Sequence, residues 1–141
     1  MRRAVLLITL AALMIPTAAA AATLLSVNPK RLNFGTKAVG TTTFKTVTVA
    51  NTSTQSLLVE MTGGLPDDFG WGPVDIDQDR CVFSGGEILA PGETCAAFVR
   101  FSPTDFFAGS RQVGALQVTA RDSDTLAVLE TTVVTITGTG R

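Results

Sequence analysis

The chain of 141 residues has no histidine, no tyrosine and only two cysteines. Without histidine no Ser-His-Asp or Cys-His arrangement can be assembled. A metal site would want His or further Cys beside the two thiols. No Gly-x-Ser-x-Gly and no phosphate-cradling glycine motif occurs. The chain is therefore expected to be no enzyme, with no catalytic, cofactor-binding or metal residues and no cofactor. The paired carboxylates Asp67 and Asp68 could serve a glycosidase, but they stand in a turn-like stretch and read as a solvated loop. The missing tyrosine removes the tyrosine corner of antibody-type domains, and Trp71 precedes both cysteines instead of lying between them.

Basic residues are also scarce. Lys and Arg total 11, and two of them are Arg2 and Arg3. Met1-Arg2-Arg3 opens an apolar run, Ala4 to Ile15, followed by Pro16 and the small residues Thr17 to Ala22. That is the layout of a secretory signal peptide, with A-x-A cleavage sites ending at Ala20 or Ala22. The apolar run is about 12 residues, whereas a membrane span needs roughly 20. The expected division is a signal peptide over residues 1–22 and one domain over 23–141. The domain keeps nine basic against twelve acidic residues, a net charge near −3. With no basic cluster, nucleic acid and anionic membrane are poor partners. No further apolar run of membrane length follows, and the destination is secreted or periplasmic.

In that setting Cys81 and Cys95 are expected to form a structural disulfide. It closes a loop of about 15 residues, for which chain entropy gives about 3 kcal/mol. Between the cysteines stand a Gly85-Gly86 break and a Pro91-Gly92 turn. After them Cys95, Ala97, Val99 and Phe101 alternate with Ala96, Phe98 and Arg100.

Thr, Val and Gly are abundant, and no apolar period of 3.6 persists after residue 22. Short alternating segments recur every ten residues or so: Leu24–Pro29, Arg31–Gly35, Thr41–Ala50, Leu57–Thr62, Thr94–Phe101, Val113–Thr119 and Leu126–Thr137. Val74 and Ile76 could add another. Gly35 and Gly40 are expected to bracket a turn. Leu57–Thr62 is expected to form a hairpin with the strand before it, across the polar run Asn51–Ser56. Phe69 and Trp71 fall in an irregular stretch and would cap one end of the core. About seven short strands with turns between them mean an all-β sandwich or barrel.

Several marks then fall in one order: Asn33-Phe34-Gly35, Val39-Gly40, Val47-Thr48-Val49-Ala50-Asn51, Cys81, Leu89-Ala90-Pro91-Gly92-Glu93-Thr94-Cys95, Val99-Arg100-Phe101-Ser102-Pro103 and Gly138-Thr139-Gly140. The set resembles the ASH (ASPM, SPD-2, Hydin) family of immunoglobulin-like modules, in bacteria the choice-of-anchor D type, over about residues 25 to 140. The resemblance implies a seven-stranded immunoglobulin-like β-sandwich with a structural or protein-interaction role and no shared catalytic residues. The family's distant relatives among the pilus chaperones bind by adding a strand at a sheet edge, a mode any open sandwich edge permits. The segments expected to offer such an edge are Thr41–Ala50 and Leu126–Thr137.

Asp75, Asp77 and Asp79 stand at alternate positions like the start of a calcium loop. The sixth position is Arg80 where Gly is needed, and the twelfth is Gly86 where Glu is needed. A solvated strand face is the favoured reading of the three, with calcium the open alternative.

The resulting expectation is an exported, non-catalytic structural or protein-interaction module of the bacterial cell envelope, whose partner is another envelope or surface protein. The alternative is a carbohydrate-binding or adhesion domain, for which Trp71, Phe98, Phe106 and Phe107 are the candidate aromatics.

Overall fold

The computed structural model describes residues 22–72, 81 and 85–141. Residues 1–21 of the expected signal peptide, Val74 and Ile76, and the carboxylates Asp75, Asp77 and Asp79 lie outside the described residues.

Among the described residues nine strands form two packed sheets. They are β1 (Leu25–Asn28), β2 (Arg31–Lys37), β3 (Thr43–Asn51), β4 (Leu57–Gly64), β5 (Phe69–Trp71), β6 (Glu87–Leu89), β7 (Thr94–Phe101), β8 (Arg111–Asp122) and β9 (Val128–Gly140). A short 3-10 turn, Asp105–Phe107, lies between β7 and β8. One sheet runs β1-β3-β7-β5 and the other β2-β9-β8-β4-β6. The expected sandwich is present, and two three-residue edge strands, β5 and β6, lengthen the count. Neither has a long enough alternation to be read from sequence, and β5 carries Gly70 at its centre.

Each long strand turns alternate side chains inward. Val47 and Val49 of β3, and Cys95, Ala97, Val99 and Phe101 of β7, face Leu57, Val59 and Met61 of β4. Leu116, Val118 and Ala120 of β8, with Val134 and Ile136 of β9, complete the layer. Most of these side chains are fully buried. A fully buried aliphatic side chain contributes about 1.5–3 kcal/mol, so this double layer supplies most of the driving force. At one end Phe34, Phe69 and Phe101 close the core, with ring centroids 4.6 to 5.8 Å apart.

Three local expectations are corrected. First, β3 and β4 are no hairpin. β3 pairs with β1 and β7, and β4 with β8 and β6. Their apolar faces meet across the core instead of lying side by side in one sheet. Asn51 holds this arch. Its Nδ2 donates to the carbonyls of Gln55 (2.8 Å) and Leu89 (2.9 Å), and its Oδ1 accepts from the Ser53 amide and hydroxyl. Second, Gly35 lies inside β2, at positive φ in the register shift between Asn33 and Thr36. Such a bulge needs a residue without a Cβ penalty, so the strand runs on past the glycine and the turn comes later. Third, the last strand does not end at Thr137: it runs on through Gly138-Thr139-Gly140, where β2 pairs in parallel with Thr139 and Gly140.

Cys81 and Cys95 are disulfide-bonded, with Cα atoms 5.7 Å apart. The bond ties the excursion after β5 to the start of β7.

Candidate protein-binding edge

Among the described residues the edge strands are β1 and β5 of one sheet and β2 and β6 of the other. The segment Thr41–Ala50 is half-open: β7 pairs with β3 from Thr43 to Ala50, but on the other side β1 covers only Thr48 to Asn51, and among the described residues nothing pairs with Thr43–Val47 there. The last strand is a divided case. β8 covers one side of β9 along almost its whole length. On the other side β2 covers only Thr135 to Gly140. Among the described residues, nothing pairs with the first half of β9 on that side.

The cause lies thirty residues into the chain. Pro29 cannot donate to a ladder, and the chain changes sheet there. Before it, β1 pairs with β3; after it, β2 pairs with β9. The first bond between the Lys30–Lys37 segment and β9 runs from the Thr135 amide to the Lys30 carbonyl, 3.1 Å. Backbone groups of successive strand residues point to alternate sides. With Thr135 aimed at β2, Val133 and Thr131 aim their N–H and C=O groups at the open side.

The same half-strand carries much of the exposed apolar surface. Leu126, Val128, Leu129 and Val133 are 56, 55, 42 and 51% exposed. The register of β8 with β9 shifts between Ala120 and Arg121, so Leu129 has no cross-strand partner. Leu126 has φ +60, a left-handed conformation costly for a branched side chain. The turn is held from the side: Arg121 is ion-paired with Glu60 at 2.8 Å and donates to the Leu126 carbonyl at 3.2 Å. Asp122 accepts from the Thr125 amide and hydroxyl and from the Asp124 amide. These bonds to the charged form hold its carboxyl below its ordinary value near 3.8.

Facing this edge across the mouth of the sandwich is β1. Leu25, Ser26, Val27, Lys30, Glu130 and Thr132 line the groove between them. Glu130 and Thr132 have the inward parity of Val134 and Ile136, yet both are polar and only half-buried. The core opens to water here.

The aromatic candidates are not brought together. Trp71 packs inward against the core from β5. Phe98 lies on the opposite face of the same sheet, on the alternate parity from Val99, which pairs with Trp71. Phe107 and the 86% exposed Phe106 meet edge-on at 4.8 Å on the 3-10 turn. Phe44, half-exposed on β3, was not singled out by sequence. Two faces and a loop give no common stacking platform.

The carboxylate pair also separates. Asp67 is exposed, but Asp68 is buried, contrary to the solvated-loop reading. Asp68 accepts from the Thr104 amide (3.2 Å) and hydroxyl (2.8 Å) and from Gln112 Nε2. It anchors the loop ahead of β5 to the β7–β8 connection. Nothing in the sequence around Asp68 distinguishes it from Asp67; its partners are 36 and 44 residues away.

No family model and no curated protein matches the chain. Solved structures do. The ASH/PapD-like domain 7 of human CEP192 superposes with a TM-score of 0.62 at 14% identity, covering 95% of this chain and 96% of that one. The C. elegans MSP family member WR4 gives 0.56 at 8% identity, covering 85% of this chain and all of that one. The E. coli chaperone DraB gives 0.54 at 12% identity, where this chain covers 81% of itself and about half (53%) of DraB. What these comparisons have in common is architecture, and on that ground the chain has the immunoglobulin-like fold of the ASH, MSP and PapD-like domains.

Proposed function

We propose that the chain is an exported, non-catalytic protein-interaction module of the bacterial cell envelope. It binds an extended segment of another envelope or surface protein by strand addition to the open first half of β9. The observation that carries this reading is the unpaired side of Val128–Val133, where two residues aim backbone donors and acceptors outward beside exposed apolar side chains. An edge of this kind gives main-chain hydrogen bonds for affinity and alternate side-chain positions for selectivity. The likeness to an E. coli chaperone and the leader-like start of the sequence support the setting. The missing histidine supports the non-catalytic role.

The test uses the full chain in its native envelope, with a photocrosslinking residue at Val133 and a control at Thr62 on the far strand β4. A partner peptide should crosslink at position 133 and not at 62. Thr131→Pro removes one outward N–H and leaves the bonds to β8 in place. It should abolish the crosslink with the fold retained. Equal labelling in the proline variant would exclude strand addition at β9.

A further inference from the structure

The groove at the mouth of the sandwich contains a carboxylate whose surroundings do not account for its charge. Glu130 stands on the inward parity of β9, half-buried. Among the described residues no Lys or Arg lies within ion-pair distance of it. One oxygen, Oε2, accepts a 2.6 Å hydrogen bond from the backbone amide of Leu24, 106 residues away. The other, Oε1, has among the described residues only the Thr132 hydroxyl at 3.4 Å. Thr23, Leu24, Leu129 and Glu130 wall one shared cavity.

The backbone ahead of β1 is pinned in place at this point. The Thr52 hydroxyl donates to the Thr23 carbonyl (3.1 Å) and the Thr52 amide to the Leu24 carbonyl (2.9 Å). The carbonyl of Thr23 is thereby fixed to the domain, and Thr23 is the residue that follows the A-x-A site ending at Ala22. Cleavage there would turn the Thr23 nitrogen into a free ammonium, one residue from an amide already bonded to Glu130. An ammonium offers three donors and a full charge, and a carboxylate accepts such charge-assisted bonds at about twice the strength of neutral ones.

We propose that Glu130 is the binding site for the α-ammonium group of Thr23, the mature N-terminus produced by cleavage after Ala22. The ion pair would close the mouth of the sandwich beside β1 only once the leader has been removed. The inference rests on the leader reading and is independent of strand addition at β9. Lys30 is the other charged group lining the neighbouring groove, and its like charge opposes the ammonium without supplying a competing acceptor.

The full chain is exported, purified and its N-terminal residue identified by intact mass. The α-amine is then titrated by the pH dependence of its reductive methylation, in the parent and in Glu130→Gln and Lys30→Gln variants. The expected result is a chain beginning at Thr23 whose amine titrates above about 8.5, against about 7.7–8.0 for an ordinary α-amine. Glu130→Gln should return it to the ordinary range, and Lys30→Gln should leave it raised. An uncleaved leader would overturn both this site and the leader reading. A mature chain starting elsewhere, or a Thr23 amine that titrates in the ordinary range in the parent, would overturn this site alone. The parent titration decides the matter even where Glu130→Gln does not fold.

Discussion

Single residues hold this sandwich at the points where it changes direction. Asn51 is the clearest. It is fully buried and makes four side-chain hydrogen bonds, so both its oxygen and its nitrogen are satisfied. Its backbone also accepts from Gly92 and donates to Glu93, which binds the β3–β4 arch to the Pro91-Gly92 turn. Asn51→Ala leaves the buried Leu89 carbonyl without a donor, and is expected to cost about 3 kcal/mol, read from the urea midpoint. Asp122 plays the corresponding part at the β8–β9 turn. Its carboxyl is held below 3.8 by bonds that exist only in the folded turn. A depressed folded-state value means that the stabilisation is present above the unfolded value and is lost as pH falls through the folded one. Acidification below about pH 4 should therefore loosen this turn, with Asp122→Asn removing the acid-dependent step. Amide exchange at Asp124 and Thr125 measures it.

At the level of the element, β9 shows how one strand serves two ends. Its last residues lie against the aromatic cluster. A Cβ on Gly138 would stand 2.7 Å from the Phe101 ring, which is fully buried between Phe34 and Phe69 and has nowhere to move. Gly138→Ala should lower stability by about 1–3 kcal/mol. Adding Phe101→Leu should recover part of that loss, so the two changes will be non-additive in thermal melts. Gly138, beyond the expected end of the last strand at Thr137, is thus a packing requirement of β7. The first half of β9 is the opposite case. It has inward parity without burial, because β2 starts too late to cover it. The sign of this in sequence is faint: Leu126, Val128 and Leu129 break the alternation that Val134 and Ile136 keep.

Over the whole molecule, the disulfide joins the part of the chain between the sheets to the core. Its loop spans 14 positions, so reduction should lower stability by about 3 kcal/mol. Cys95 stands among Ala97, Val99 and Phe101, all fully buried, and these hold β7 in place without it. The reduced chain should therefore keep its sheets, with an unchanged far-ultraviolet spectrum and a lower urea midpoint. Collapse on reduction would show that the bond is needed for the fold itself.

The alternation of Val47 with Val49, of Cys95 through Phe101, and of Leu116 through Ala120 is local, and it sufficed to establish an all-β sandwich and its core. The ordered marks from Asn33 to Gly140 did the same for the family likeness. Many of those marks occupy structural positions: Phe34 and Phe101 stack in the core, Gly35 forms a bulge, Asn51 ties a corner and Gly138 makes room for a ring. Which strand lies beside which was settled only in three dimensions. Alternation tells a strand which face is buried but not which neighbour it has, since β3 and β4 would bury the same residues in a hairpin or in an arch. The open half of β9, the burial of Asp68 and the exposure of Glu130 to the chain start likewise depend on partners 36 to 106 residues away. Contacts at that range leave no periodic trace in sequence, because either partner alone is an ordinary surface residue.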